Sequence, residues 1–327
     1  MFVLFPIYLM LIYLSLNMES FIFLWLLMEL NSLIFMFMIM MELNKLMNLN
    51  SLILMFIYQM MTASFLFIFL FLIMNYNNNM MTYMIYILLF IKLGLSPFHK
   101  WYKFTLMNLP WNMCFMISTI YKIMPFIFFY KLMLENNEFL INMSLISIFL
   151  SSFKALMTKN IKMIFTYSSI IHINFMIIMM MININYMLIY FMFYTCLIFF
   201  FCYFMLKFQI NYNFDLFTLG NNIYKIMIFL NIMSMMGMPP SLMFMIKYLI
   251  YSYLINNYSL LLSMLMMMMN IFMMIFYLLM SLPLMININL NCNFYLKTNK
   301  LLNKKEKLCF YLNLIFIFMS PMMLMLI

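Results

Sequence analysis

Four ionisable side chains fall where such side chains are costly. Glu29 sits near the middle of an apolar stretch at 20–41, Lys92 inside one at 80–106, and Lys122 at the middle of one at 111–131. Lys247 follows shortly after the Pro239-Pro240 pair inside a stretch at 222–255. A charge at mid-bilayer costs about 2.5–3.5 kcal/mol on insertion scales, and more where it faces lipid. It is retained when it pairs, faces a wet interior, or acts. A Glu29–Lys92 ion pair that merely holds two helices together is one reading of the first two. Lys122 and Lys247 find no further acid within these stretches, so pairing cannot absorb them. Burial penalises the ammonium form of a lysine without a counter-ion, which lets it gain and lose a proton. Lysines without acids therefore predict proton handling.

Polar neighbours extend this set. Thr62, Ser64, Ser118, Thr119, Tyr167, Ser168, Ser169, His172 and Ser234 could line a water path. Singly, each hydroxyl more often bonds back to its own helix. His172 reads as a hydrogen-bonded core residue rather than a metal ligand. His99, beside Pro97 at a helix break, is the better functional candidate, with capping or interface anchoring equally consistent. The cysteines at 114, 196, 202, 292 and 309 show no C-x-x-C spacing, so neither a metal site nor a disulfide is expected.

The elements that must position these residues follow from composition. Hydrophobic residues make up 69% of the 327 and charged residues 7%, with a mean hydropathy of +1.09. A soluble domain needs about a quarter of its residues charged, so no water-facing shell can be built here. Apolar runs of about twenty residues, the length that crosses ~30 Å of hydrocarbon, recur from end to end. The ten-residue alternation of a membrane β-barrel is missing. The fold class is all-α, a polytopic membrane protein forming a single domain over 1–327.

Eleven hydrophobic segments are predicted: 2–16, 20–41, 51–74, 80–106, 111–131, 140–156, 161–182, 186–206, 222–255, 258–284 and 308–327. Proline removes a backbone donor and clashes with the preceding turn, so two segments should be discontinuous helices. The fourth is interrupted at Pro97, and the ninth at Gly237, Pro239 and Pro240. Eleven crossings put thirteen lysines on the N-terminal side (45, 100, 103, 154, 159, 162, 207, 225, 297, 300, 304, 305 and 307) and only Lys131 opposite. That positive-inside bias accounts for the net charge of +10 without nucleic acid. It places the N-terminus in a mitochondrial matrix and the C-terminus in the intermembrane space.

The mitochondrial setting comes from residue usage. Arginine is absent, valine occurs only at Val3, and alanine only at Ala63 and Ala155. The abundant types can be spelled in A and T if ATA reads as Met, which points to an AT-rich organelle genome. Most of the 51 methionines then reflect mutational bias. Residues Met1–Leu16 lack a positive n-region and an Arg- or Ser-rich character, so no secretory or transit peptide is expected there.

The ordered motifs resemble the subunit 2 family of NADH dehydrogenase, antiporter-like subunits of respiratory complex I. The resemblance is carried by Trp25-Leu-Leu-Met-Glu29-Leu-Asn31, and by Gln59 with Thr62-Ala63-Ser64. It continues through Lys92-Leu-Gly94-Leu-Ser-Pro97-Phe-His99-Lys-Trp101 and Tyr121-Lys122-Ile-Met-Pro125. Further on come Lys162-Met-Ile-Phe-Thr-Tyr167-Ser168-Ser169-Ile-Ile-His172 and Ser234-Met-Met-Gly237-Met-Pro239-Pro240-Ser-Leu-Met-Phe-Met-Ile-Lys247-Tyr248. Met236 and Met238 flank Gly237 where the family has Gly-Gly-Leu, and Ser96 stands where it has Ala.

The resemblance implies an antiporter-like fold in which Glu29 and Lys92 form the family's glutamate–lysine pair. It makes Lys122 the central lysine and Lys247 the terminal one, with His99, His172, Ser168, Ser169, Pro97, Pro239 and Pro240 in support. It also implies proton translocation across the mitochondrial inner membrane within an NADH:ubiquinone reductase. The partners would be other membrane-arm subunits and phospholipids. NADH, FMN, iron–sulfur clusters and ubiquinone would be bound by other subunits, leaving this chain without a cofactor or metal. Two other classes stay open: a stand-alone cation/proton antiporter, and a scaffold subunit with inert buried charges. Haem proteins of the same organelle need sets of intramembrane histidines, and this chain has two.

Overall fold

A computed structural model of the chain describes residues 4–42, 49–76, 79–132, 138–218, 222–239 and 241–291. Among them the regular structure is helical: α1 (Leu4–Asn17), α2 (Phe21–Glu42), α3 (Leu49–Tyr76), α4 (Asn79–Leu93), α5 (Lys100–Asn108), α6 (Trp111–Ser118) and α7 (Ile123–Leu132). There follow α8 (Glu138–Leu156), α9 (Ile161–Ile182), α10 (Ile184–Phe208), α11 (Asn222–Met236), α12 (Leu242–Asn257) and α13 (Leu260–Asn291). Among the described residues, seven stretches are long and apolar enough to cross a membrane by length and composition, and three shorter apolar helices accompany them. Among the described residues, helix is found within each predicted segment from 2–16 to 258–284. The predicted segment 308–327 lies outside the described residues, as do Lys45, Pro240, Cys292, Cys309 and the lysines from 297 to 307.

Two compact units divide the chain, Met1–Ser147 and Ile148–Ile327. In the first unit the outward face of α3 carries Ile53, Ile57, Met61, Ile68 and Phe71, all exposed and apolar, as a lipid-facing surface requires. Its Lys131, at the end of α7, donates to the carbonyls of Ser15 (3.0 Å), Leu16 (3.2 Å) and Met18. These are the last, otherwise unpaired carbonyls of α1 and the turn after it, so a cation closes a helix C-terminus. In the second unit α9 is buried without interruption from Ile164 to Met180, making it the helix around which that unit packs.

Both expected interruptions are present, and glycine makes each. Gly94 has φ +73° and Gly237 φ +78°, a left-handed backbone that other residues adopt at a cost of about 1–2 kcal/mol. At Gly94 the chain turns out of α4, with Gly94 N–H bonded to Ile91 and Leu95 N–H to Phe90. The Trp101 indole donates 2.9 Å back to the Ile91 carbonyl, so α5 is tied to the end of α4. The Ser96–Pro97 peptide within this turn is cis.

A third interruption was not expected. The span Trp111–Leu132 is split by a 3-10 turn at Ile120–Lys122. Pro125 supplies the reason, since its ring crowds the carbonyl of Tyr121 and it offers no N–H. The hydroxyls of Ser118 and Thr119 and the Thr119 N–H all converge on the Phe115 carbonyl, at 3.0, 2.7 and 3.1 Å. Tyr8 donates 3.3 Å to the Ile120 carbonyl, which also accepts from the Ile123 N–H. Lys122 is thus delivered at a kink, not from the side of a regular helix.

Gly94 also sets how closely α5 approaches α4. A Cβ there would lie 2.7 Å from Cβ of Tyr102. Gly94→Ala therefore combines a left-handed strain with a clash against backbone-proximal atoms. The expected result is a thermal midpoint several degrees lower in detergent, read by a tryptophan-fluorescence melt.

Candidate functional site

In the first unit, α2 and α4 bring Glu29 and Lys92 into a direct ion pair between Lys92 Nζ and Glu29 Oε1. Lys92 is 2% exposed and Glu29 14%, so the pair is largely screened from solvent. Glu29 Oε2 has no hydrogen-bond partner among the described residues, leaving acceptor capacity beside the pair. α2 is fixed nearby by the Trp25 indole, which donates 2.9 Å to the Ala63 carbonyl of α3.

Lys122 is held differently. Its Nζ donates 3.0 Å to the hydroxyl of Tyr102 and lies 4.1 Å from the centre of the same ring. Both residues are buried. The partner is a neutral phenol from α5, and the sequence offered no periodicity linking positions 102 and 122. His99 is also buried, with Nδ1 3.1 Å from the Pro97 carbonyl and 3.3 Å from Ser96 Oγ. It precedes α5 without making a side-chain cap bond, and these two contacts lie within the turn at Pro97.

In the second unit, Lys247 of α12 folds back onto the break that precedes it. Its Nζ donates 2.9 Å to the Met236 carbonyl and stands 3.7 Å from Met273 Sδ. It also lies 5.3 Å from the centre of the Phe175 ring. The end of α11 leaves the Met236 carbonyl available, and Gly237 leaves space: a Cβ there would sit 3.2 Å from Nζ. A cavity of about 320 Å³ is lined by Lys247, Gly237, Tyr251, Asn270 and neighbouring apolar side chains. Pro239 lies in the turn, and Pro240 falls outside the described residues.

His172 Nδ1 is 2.7 Å from the hydroxyl of Tyr190, and Nε2 has no partner among the described residues. The Tyr194 ring lies 5.4 Å away, centroid to centroid. Ser168 and Ser169 bond back to Phe165 and Thr166 of their own helix, at 2.9 and 2.8 Å. Thr62, Ser118, Thr119 and Ser234 do the same, which is the local bonding expected of hydroxyls in apolar helices.

Across residues 18–273 the sequence matches the family described as NADH:quinone oxidoreductase/Mrp antiporter, transmembrane. The chain belongs to that family. Among relatives of this NADH:quinone oxidoreductase/Mrp antiporter member is the NADH-ubiquinone oxidoreductase chain 2 of Anopheles gambiae, 34% identical over 168 residues, which are 50% of this chain and 48% of the relative. The protein of the same name from Artemia franciscana is 27% identical over 234 residues, 71% of this chain and 73% of the relative. The chain thus spans about half the length of the first of these relatives and about three quarters of the second. Among solved structures, a chain of respiratory complex I from Thermus thermophilus has a TM-score of 0.76 at 16% identity, covering 84% of this chain and 68% of that one. A chain of the Mrp complex from Dietzia sp. has a TM-score of 0.65 at 12% identity, covering 85% and 59%. At these identities the likeness is one of fold, and that fold is the family's antiporter-like one.

Breaking one side of a buried pair costs about 3–5 kcal/mol, whereas removing both partners costs much less. Glu29→Gln and Lys92→Met should each lower the thermal midpoint and the yield of folded protein. The double variant should lie closer to wild type than either single one, giving a favourable coupling in a double-mutant cycle of thermal melts.

Proposed function

We propose that the chain is a proton-translocating membrane subunit of respiratory complex I, NADH:ubiquinone oxidoreductase, in the mitochondrial inner membrane. Its N-terminus faces the matrix and its C-terminus the intermembrane space, in keeping with the lysine bias. Its partners are the other membrane-arm subunits and surrounding phospholipids, and the redox cofactors belong to other subunits. Its share of the enzyme's work is moving protons.

The observation that carries this reading is that Lys122 and Lys247 are both buried and both held by neutral groups. A scaffold would have little reason to keep either. Family membership and the chain 2 relatives support it independently.

The mechanism follows from charge coupling. While Glu29 is ionised and in contact, Lys92 keeps its proton. Separation of the pair removes that stabilising charge, and Lys92 releases the proton. Lys122 and Lys247 are the next holders in order. Moving one charge across the membrane is worth about 2.3 kcal/mol per 100 mV, so each step has to be driven. The drive comes from the redox reaction elsewhere in the assembly. His99, Pro97 and Pro239 act by shaping the breaks that present these lysines. His172, Ser168 and Ser169 furnish polar surface along α9.

The test is Lys122→Met and Lys247→Met in the assembled complex, with NADH oxidation and proton pumping measured together. Both variants should assemble and pump severely less. Normal protons per electron in either would sink the relay. Antiport by the isolated chain in liposomes would favour the stand-alone exchanger instead.

A further inference from the structure

The partner of Lys122 has a consequence for how that lysine works. Tyr102 makes two contacts with Nζ, a hydrogen bond that its hydroxyl oxygen accepts at 3.0 Å and a ring contact at 4.1 Å from the centroid. Its position is tightly constrained. The ring meets Trp101 edge-on, with centroids 5.8 Å apart and planes at 70°. Trp101 is itself anchored to the Ile91 carbonyl, and Tyr102 Cβ packs where a Cβ on Gly94 would have been. The break between α4 and α5 therefore fixes the phenol, and the kink at Ile120–Lys122 brings the amine to it.

We propose that Tyr102 is the positioning residue of Lys122, its ring and hydroxyl together holding the lysine's ammonium form in place of a carboxylate. The ring quadrupole attracts the cation and has no comparable hold on the neutral amine. The hydroxyl oxygen accepts a charge-assisted bond from the ammonium, about twice as strong as the bond from an amine. Both contacts loosen once the proton leaves. Tyr102 accepts the lysine's bond and is not itself a carrier of the transferred proton. It sets how long Lys122 retains it.

This inference rests on the proton-translocation reading above, and the experiment separates the two. Tyr102→Phe, Tyr102→Leu, Lys122→Met and the Tyr102→Leu/Lys122→Met pair are compared in the intact complex. NADH oxidation, proton pumping and the amount of assembled complex are measured for each. Tyr102→Phe keeps the ring and the packing, and should lower the coupled pumping rate roughly tenfold, the worth of one hydrogen bond to a charged group. Tyr102→Leu removes both contacts and should lower it further. On the residual rate of Lys122→Met, Tyr102→Leu should have no additional effect, because the two residues act as a unit.

Wild-type pumping in both Tyr102 variants, alongside impaired pumping in Lys122→Met, would overturn the role of Tyr102 and leave the relay standing. An equal proportional loss from Tyr102→Leu with and without Lys122 would overturn it too, marking Tyr102 as packing alone. Normal pumping in Lys122→Met would remove the relay and this inference with it. Should Tyr102→Leu fail to assemble, the near-isosteric Tyr102→Phe decides.

Discussion

A cation inside hydrocarbon must find something to sit against, and much of this structure is arranged around that requirement. The energetic scale is set by desolvation, several kcal/mol for each ion after relaxation. A regular helix offers nothing towards it, because its carbonyls are already bonded along the chain. The chain answers by interrupting its helices at the lysines. The end of α11 frees the Met236 carbonyl for Lys247, and the turn after Gly94 aims Tyr102 at Lys122. A few residues of irregular backbone at membrane depth become useful because they are buried in protein.

Glycine is the economical way to build such sites. At Gly237 the missing Cβ gives the Lys247 side chain its room, and at Gly94 it lets Tyr102 pack against the turn. In each case one residue supplies both the left-handed turn and the space for the site. The prolines play a different part. Pro97 and Pro239 lie in turns the glycines open, while Pro125 breaks the helix ahead of it and leaves Lys122 on a tightened turn.

The broad outline was legible because a bilayer constrains sequence so strongly. Apolar run length located the helices, and proline and glycine located two of the breaks. The charges that cost too much to ignore named the candidate site residues. What was missed was missed for physical reasons. Pro125 was visible, but the way the chain settles ahead of it also involves the Ser118 and Thr119 hydroxyls on the Phe115 carbonyl and Tyr8 arriving from α1, a tertiary contact. Tyr102 lay among 23 tyrosines with no spacing to single it out. The seryl hydroxyls of α9 bond to their own helix, which their types already favoured.

The contrast between the lysines is itself informative. Lys92 faces a carboxylate, which holds an ammonium strongly while the two stay in contact and hardly at all once they part. That is the behaviour of a latch, responsive to a small displacement. Lys122 and Lys247 face a phenol, a carbonyl, a thioether and an aromatic ring, all neutral. Dipoles and quadrupoles hold a cation less firmly and fall away faster with distance than a full charge does. A carboxylate at every position would trap each proton in a separate deep well. In the relay proposed above, neutral partners keep the later wells shallow, so a shift at Glu29 is enough to tip the sequence. On this argument the scarcity of acids within the spans is as much a part of the design as the presence of the lysines.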